Sequence, residues 1–199
     1  MVPARFIVCV VSVSDLALSA RTVEDLVLAC QVGCQPKYLH FWGHTALGPE
    51  LGTHVLSQWF PTTFEDADGR IFRSAEHYMM WRKATLFCDT VSADKILAAA
   101  SPGEAKALGR TVKRFIEDTW AGNRWEIVVE GSMLKFASDP QLHEYLTGTR
   151  NRVLVEASPR DHIWGIGMTA DSEHATTPSE WRGLNLLGFA LMEARSRLQ

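Results

Sequence analysis

In about three helical turns, Arg73-Ser74-Ala75-Glu76-His77-Tyr78-Met79-Met80-Trp81-Arg82-Lys83 gathers a carboxylate, an imidazole, cations and aromatics. Ser74 is a good N-cap, which puts Glu76 in the first turn and Lys83 two turns later. Glu76, Met80 and Lys83 then share one stripe, and His77, Trp81 and Ala84 the next, so acid, imidazole and indole can face a common pocket. A first-turn Glu is equally a partner of the helix macrodipole. Lys135 ends a stripe of Val128 and Ser132, an apolar line where its amine is either buried or snorkels into water. Asp161-His162-Ile163-Trp164-Gly165-Ile166-Gly167 is a second dense cluster: an acid, an indole and glycines that permit close backbone approach to a ligand. With no third glycine and no helical pattern after it, it is not a dinucleotide fingerprint. Asn185, inside an apolar run, is either a satisfied core amide or a ligand contact.

The elements that must position these groups are mostly helical. Thr22 opens a short amphipathic helix that Gly33 and Pro36 close. Lys37 to Trp42 reads as a strand, Val55 to Phe60 as a second one stopped by Pro61, and Arg70 to Arg73 as a brief third. The central helix spans about Ser74 to Phe87. Ser92 begins another, and Ser101-Pro102-Gly103-Glu104 starts one that Gly109 ends. Thr111 to Thr119 and Asn123 to Ala137 read as two helices broken at Gly122. Asp139-Pro140 starts a short helix, Arg152 to Ala157 is a buried strand, and an apolar helix closes the chain. The expectation is one α+β domain, helix-dominated with a small sheet, over residues 22–199. Residues 1–21 are an N-terminal extension in which Phe6 to Ser14 is an edge strand or unstructured. Deleting Met1 to Ala20 is expected to cost little.

Composition narrows the function. The 199 residues, 46% hydrophobic, suffice for one sizeable core. Seven tryptophans are many for this length and suit stacking on flat ligands. A net charge of −3 and a pI near 6.2 argue against a broad nucleic-acid or membrane footprint, while leaving room for a local cationic pocket. Of four cysteines, only Cys30 and Cys34 are close, and no second pair completes a zinc site. A reducing, cytoplasmic setting is expected, with no metal and no redox cofactor.

Ser74-Ala75-Glu76-His77-Tyr78, Lys83, Ala105-Lys106 with Leu108-Gly109-Arg110, Trp120, Lys135-Phe136, Leu146 with Thr149, Glu156, Asp161-x-x-Trp164-Gly165-x-Gly167 and Gly183-x-Asn185-x-Leu187-Gly188 with Leu191-Met192-x-x-Arg195 together resemble the NADAR, or YbiA-like, family. The likeness runs from about Tyr38 to Leu198. It implies an α+β fold and an N-glycosidase acting on ribosylated exocyclic amines. The substrate class is the ribosylamino-pyrimidine phosphates of riboflavin biosynthesis. The alternatives are removal of ADP-ribose from nucleic-acid guanine, and a binding module for NAD or ADP-ribose without turnover. Membrane partners are not implied, and oligomeric state is left open.

The resemblance also implies roles. Lys135 is the candidate nucleophile, forming a Schiff base with the ring-opened sugar. Glu76 is the proton shuttle, and Asp161 a second carboxylate for ribose hydroxyls or positive charge. Direct attack by water, with Glu76 as base and Asp161 as charge stabiliser, is the other route. Trp120 and Trp164 are stacking platforms, with Trp59 and Trp42 as further candidates, and His77, Gly165 and Asn185 join the binding set. Lys83 and Arg110 are assigned to phosphate. Lys135 is expected within reach of both carboxylates, between Trp120 and Trp164. The chain has Leu56-Ser57-Gln58-Trp59 where an Asn-Phe ending is frequent in the family, and Met80-Trp81-Arg82 where a Gln often follows Glu-His-Tyr. Both departures bear on the substrate's base.

Overall fold

A computed structural model describes residues 13–46 and 48–199, with only the backbone of Val13, Ser14 and Asp15. Its elements are α1 (Val13–Ser19), α2 (Val23–Gln31), β1 (Lys37–Phe41), β2 (Phe64–Glu65), β3 (Ile71–Phe72), α3 (Ala75–Leu86), α4 (Thr90–Ala98), α5 (Pro102–Gly109), α6 (Glu117–Ala137), α7 (Pro140–Gly148), β4 (Arg152–Glu156) and α8 (Leu186–Leu198). Short 3-10 turns occupy Thr53–Leu56 and Pro178–Glu180. This is the helix-dominated α+β domain expected from the sequence.

The strands are few but decisive. β1 and β4 pair in parallel, from Lys37 opposite Arg152 to Phe41 opposite Glu156, so Glu156 emerges at the C-terminal end of the pair. β4 is the centre of the core, with Val153, Leu154 and Val155 fully buried. α8 lies directly on it, because a Cβ on Gly188 would come within 2.1 Å of the Leu154 carbonyl oxygen. α3 is nearly as enclosed, with Ala75 to Met80 all buried. It is capped as expected: the Ser74 hydroxyl accepts from the His77 N–H at 3.3 Å. α5 approaches α3 closely at Gly109, where a Cβ would overlap the Met80 sulfur.

Several boundaries differ from expectation. Val55 to Phe60 is no strand: after the 3-10 turn it runs as a loop whose carbonyls are taken by side chains and helix ends rather than by a neighbouring strand. The hairpin lies further on, at β2–β3, around the Asp66–Gly69 turn. Asp89 rather than Ser92 caps α4, since its carboxylate accepts from both the Ser92 N–H and the Ser92 hydroxyl. Thr111 to Ile116 is not helical, because Arg114 takes φ 57° and the Lys113 N–H is drawn to Asp89 at 2.9 Å. α6 instead runs unbroken through Gly122, an open position where a glycine costs about 1 kcal/mol. The N-terminal strand reading falls mostly outside the described residues. The adjoining segment is packed: Ala17 and Ala20 are buried, and Arg21 pairs with Glu193 of α8 at 2.5 Å. That packing revises the view that everything through Ala20 is dispensable.

Candidate active site

Glu76 enters the core on the first turn of α3, and its carboxyl is almost wholly enclosed, with Oε1 lacking any hydrogen-bond partner. Burial pushes this acid up to about 7. The charges of Lys106 and Arg110 on α5 and the neighbouring Trp59 indole pull the other way, while Asp161 raises it further. Trp59 is set against α5: its ring lies over Gly103 and 5.7 Å from the Lys106 ammonium. The Glu76 N–H donates to the Gln58 carbonyl at 2.9 Å, tying the loop to the head of α3. Gln58 is buried too, and its Nε2 has no acceptor.

A second acid reaches the same place from β4. Glu156 is pushed up to about 8, first by burial and then by Asp161 and Glu76, against the charge of Lys106. Its Oε2 is another buried atom without a partner. Two protonatable carboxyls acting on each other titrate as a pair. Asp161 completes the group, its Oδ1 accepting from the N–H groups of Ile163 at 3.0 Å and Trp164 at 2.7 Å. Among the described residues, no three His, Cys, Asp or Glu side chains are gathered to hold a metal ion.

Asn185 is fully buried and positions this acid. Its side-chain oxygen accepts from the Glu156 N–H and its Nδ2 donates to the Leu154 carbonyl, both at 2.9 Å. It thus continues the ladder that β4 lacks on that edge, which corrects its place in the binding set: the amide serves the core, and Glu156 through it. Gly165 is likewise folded against its own chain, since a Cβ there would meet the Glu156 carbonyl oxygen at 2.8 Å. Its expected approach to a ligand is replaced by that packing. Trp164 is half-buried beside Asp161, close to the acid cluster.

Lys135 is completely buried, and burial alone lowers its ammonium to about 7. It donates to the Val55 carbonyl at 2.6 Å and the Ser57 carbonyl at 2.7 Å, and among the described residues no carboxylate accepts from it. The snorkelling alternative does not hold. Lys135 from α6 and Glu76 from α3 therefore brace the same loop, Val55 to Trp59, from two sides. Ser132, one turn earlier on α6, keeps its hydroxyl buried without a partner.

Three expected members stand apart. The His77 ring bonds the Ser74 hydroxyl at 2.7 Å and the Ala99 carbonyl at 3.3 Å; the carbonyl requires a proton on Nε2, leaving Nδ1 as acceptor. Both ring nitrogens are thus spent on the fold. Trp81 packs on Phe72 and Arg70, so acid, imidazole and indole do not share a pocket. Lys83 sits about two turns, roughly 10 Å, beyond Glu76, over the rings of Phe115 and Trp120. Trp120 lies about four turns, roughly 22 Å, before Lys135 on α6. It cannot wall a pocket around that amine. Sequence reasoning does not place Glu156, Lys106 or Gln58 among the site residues; the signals available are an acid ending a buried strand and a lysine one turn before Arg110.

Known proteins resemble this chain over most of its length. The NADAR domain family matches residues 40–199. An N-glycosidase of Acanthamoeba polyphaga mimivirus is 42% identical over 167 residues, covering 82% of this chain and 97% of the relative. The chloroplastic riboflavin biosynthesis protein PYRR of Arabidopsis thaliana is 36% identical over 107 residues, 52% of this chain but only 16% of that longer protein. The NMR structure of the Escherichia coli protein YbiA superposes with a TM-score of 0.65 at 24% identity, over 82% of this chain and 86% of YbiA, a likeness of fold.

Proposed function

Since the chain belongs to the NADAR family, we propose that it is an N-glycosidase that cleaves ribose from an exocyclic amine, with a phosphorylated ribosylamino-pyrimidine of riboflavin biosynthesis as substrate. The observation that carries the reading is the group Glu76, Glu156 and Asp161, in which two enclosed carboxyls are held near neutrality with unpartnered oxygens. A passive pocket has no use for acids kept in that state; proton transfer to a leaving amine does. The family relatives named N-glycosidase and riboflavin biosynthesis protein support the reaction and substrate class.

The reaction begins with ring opening of the glycosylamine to an imine between C1′ and the base nitrogen. The Lys135 amine, about half neutral at pH 7, adds to C1′. Glu156, protonated at that pH, donates to the base nitrogen, whose bond to C1′ breaks to release the free amine. Water then adds to the Lys135 Schiff base, with Glu76 carrying the protons, and frees the sugar aldehyde. Asp161 stabilises the positive charge on carbon and nitrogen. A second route, direct attack of water on C1′ with Glu76 as base, is favoured by one observation: both donor contacts of Lys135 go to backbone carbonyls.

The cysteines among the described residues that are free, Cys30, Cys34 and Cys88, fit a reducing cytoplasmic setting. No described helix is long and apolar enough to cross a membrane. The test offers purified protein the ribosylamino-pyrimidine phosphate, ADP-ribosylated guanine DNA and NAD separately, with sugar release read by mass. Release from the pyrimidine at least tenfold faster than from the others is expected. Faster release from the DNA would replace the substrate, and release from none would leave a binding module.

A further inference from the structure

Lys106 and Arg110 stand four positions apart at the C-terminal end of α5, so their side chains project along one face. Cations there would ordinarily be partners of the helix dipole. Two further observations point outward from the helix. Neither cation has a carboxylate within ion-pair distance among the described residues. Both nevertheless bear on the enclosed Glu76, and Lys106 also on Glu156. Lys106 is half-buried, with its ammonium 5.7 Å from the Trp59 ring, which itself rests on Gly103 one turn earlier on α5. α5 is held against the middle of α3 by the Gly109–Met80 contact, which fixes the backbone that carries these cations, Lys106 half-buried and Arg110 exposed, near the acids.

We infer that Lys106 and Arg110 form the phosphate subsite of this centre, binding the phosphate on the ribose 5′ oxygen while C1′ lies at Glu76 and Glu156. The inference rests on the N-glycosidase reading and adds the group that anchors the sugar. It replaces Lys83, which the fold turns toward Phe115, with Lys106. The electrostatics permit it: burial raises both carboxyls, Glu156 to about 8 and Glu76 to about 7, so the pair carries less than its full negative charge at neutral pH where the phosphate would sit. An ammonium and a guanidinium supply the charge-assisted donors a phosphate needs, the guanidinium in bidentate geometry. The same chemistry would hold either a 5′-phosphomonoester or the diphosphate of an ADP-ribosyl group.

The test compares kcat/KM for a ribosylamino-pyrimidine 5′-phosphate with that for its dephosphorylated counterpart, in the wild type, Lys106→Gln, Arg110→Gln and the double variant. Each single substitution is expected to lower the ratio of the two by about tenfold, the loss of one hydrogen bond to a charged group. The double variant should bring the ratio close to one. A ratio that stays at the wild-type value in all variants, whatever the absolute rates, overturns the subsite. An ADP-ribosylated guanine arm separates the two sources, since a monoester site prefers the first substrate and a diphosphate site the second. If the wild type cleaves none of these, the parent reading has failed. Ribose 5-phosphate binding by calorimetry then decides this one: weaker binding to the double variant supports it, and equal or absent binding to both proteins overturns it.

Discussion

Glu76→Gln is expected to lower sugar release by about 10²–10⁴-fold and, at the same time, to raise the melting temperature at pH 8. The activity loss comes from removing the group that moves protons at C1′. The stability gain comes from linkage. The Glu76 carboxyl titrates near 7 in the folded protein against 4.5 in a free chain. Between those values the folded state holds a proton that the unfolded state has released, so stability declines as pH rises through that window. Well above 7 the full cost of the buried charge is present, on the order of 3–4 kcal/mol. Gln carries no such charge. The variant should melt several degrees higher at pH 8 and like the wild type at pH 4, as thermal melts would show. Equal melting at both values would mean that Glu76 is not desolvated.

Lys135→Met is expected to abolish turnover while leaving a folded protein. Its stability effect also has a sign that pH reveals. The ammonium is depressed to about 7 from 10.5, so between those values the unfolded chain binds more protons, and the wild type gains stability as pH rises through the window. Met removes the buried charge that costs stability below about 7. It also leaves the Val55 carbonyl without its donor, a loss of roughly 1–3 kcal/mol for an acceptor left buried, while the Ser57 carbonyl keeps only the Phe60 N–H. The variant should therefore be most destabilised at pH 9 and least at pH 6. Borohydride added during wild-type turnover should trap a sugar adduct on Lys135, found by peptide mass. Normal turnover by Lys135→Met would remove the nucleophile. Lost turnover with no trappable adduct would assign direct water attack, with Lys135 holding the loop that carries Gln58 and Trp59.

The parts of this fold that can be read from sequence are those determined locally. Ser74 caps α3 with its own hydroxyl, and the aromatic run from Lys37 needs only its period to read as a strand. Val55 to Phe60 departs from its strand pattern for a tertiary reason. Its β-branched and aromatic residues favour a strand, but Lys135 takes the Val55 and Ser57 carbonyls and the Glu76 N–H takes that of Gln58, leaving no free ladder. Thr111 to Ile116 departs from its helical pattern for a similar reason, its backbone captured by Asp89 at the head of α4.

The site divides the same way. Glu76, Lys135 and Asp161 are visible in the sequence as polar groups in apolar or glycine-rich surroundings. Glu156 ends a buried strand, and only the parallel pairing with β1 and the Asn185 bridge turn it toward Glu76. Lys106 sits on a short helix whose relation to α3 depends on Gly109 meeting Met80. Asn185 admits two readings in sequence, and its two bonds to β4 decide for the core.

The most direct test of the carboxyl-centred chemistry is kcat/KM against pH for sugar release from the ribosylamino-pyrimidine phosphate, by wild type and Glu156→Gln. The wild type should give a bell, with an acid limb near 7 where Glu76 ionises and Lys135 becomes neutral, and an alkaline limb near 8 where Glu156 loses its proton. Glu156→Gln should be slower and keep the acid limb without the alkaline one. A profile whose alkaline limb is unchanged by that substitution, or a variant as fast as the wild type, would contradict Glu156 as the proton donor and the carboxyl group as the centre of catalysis.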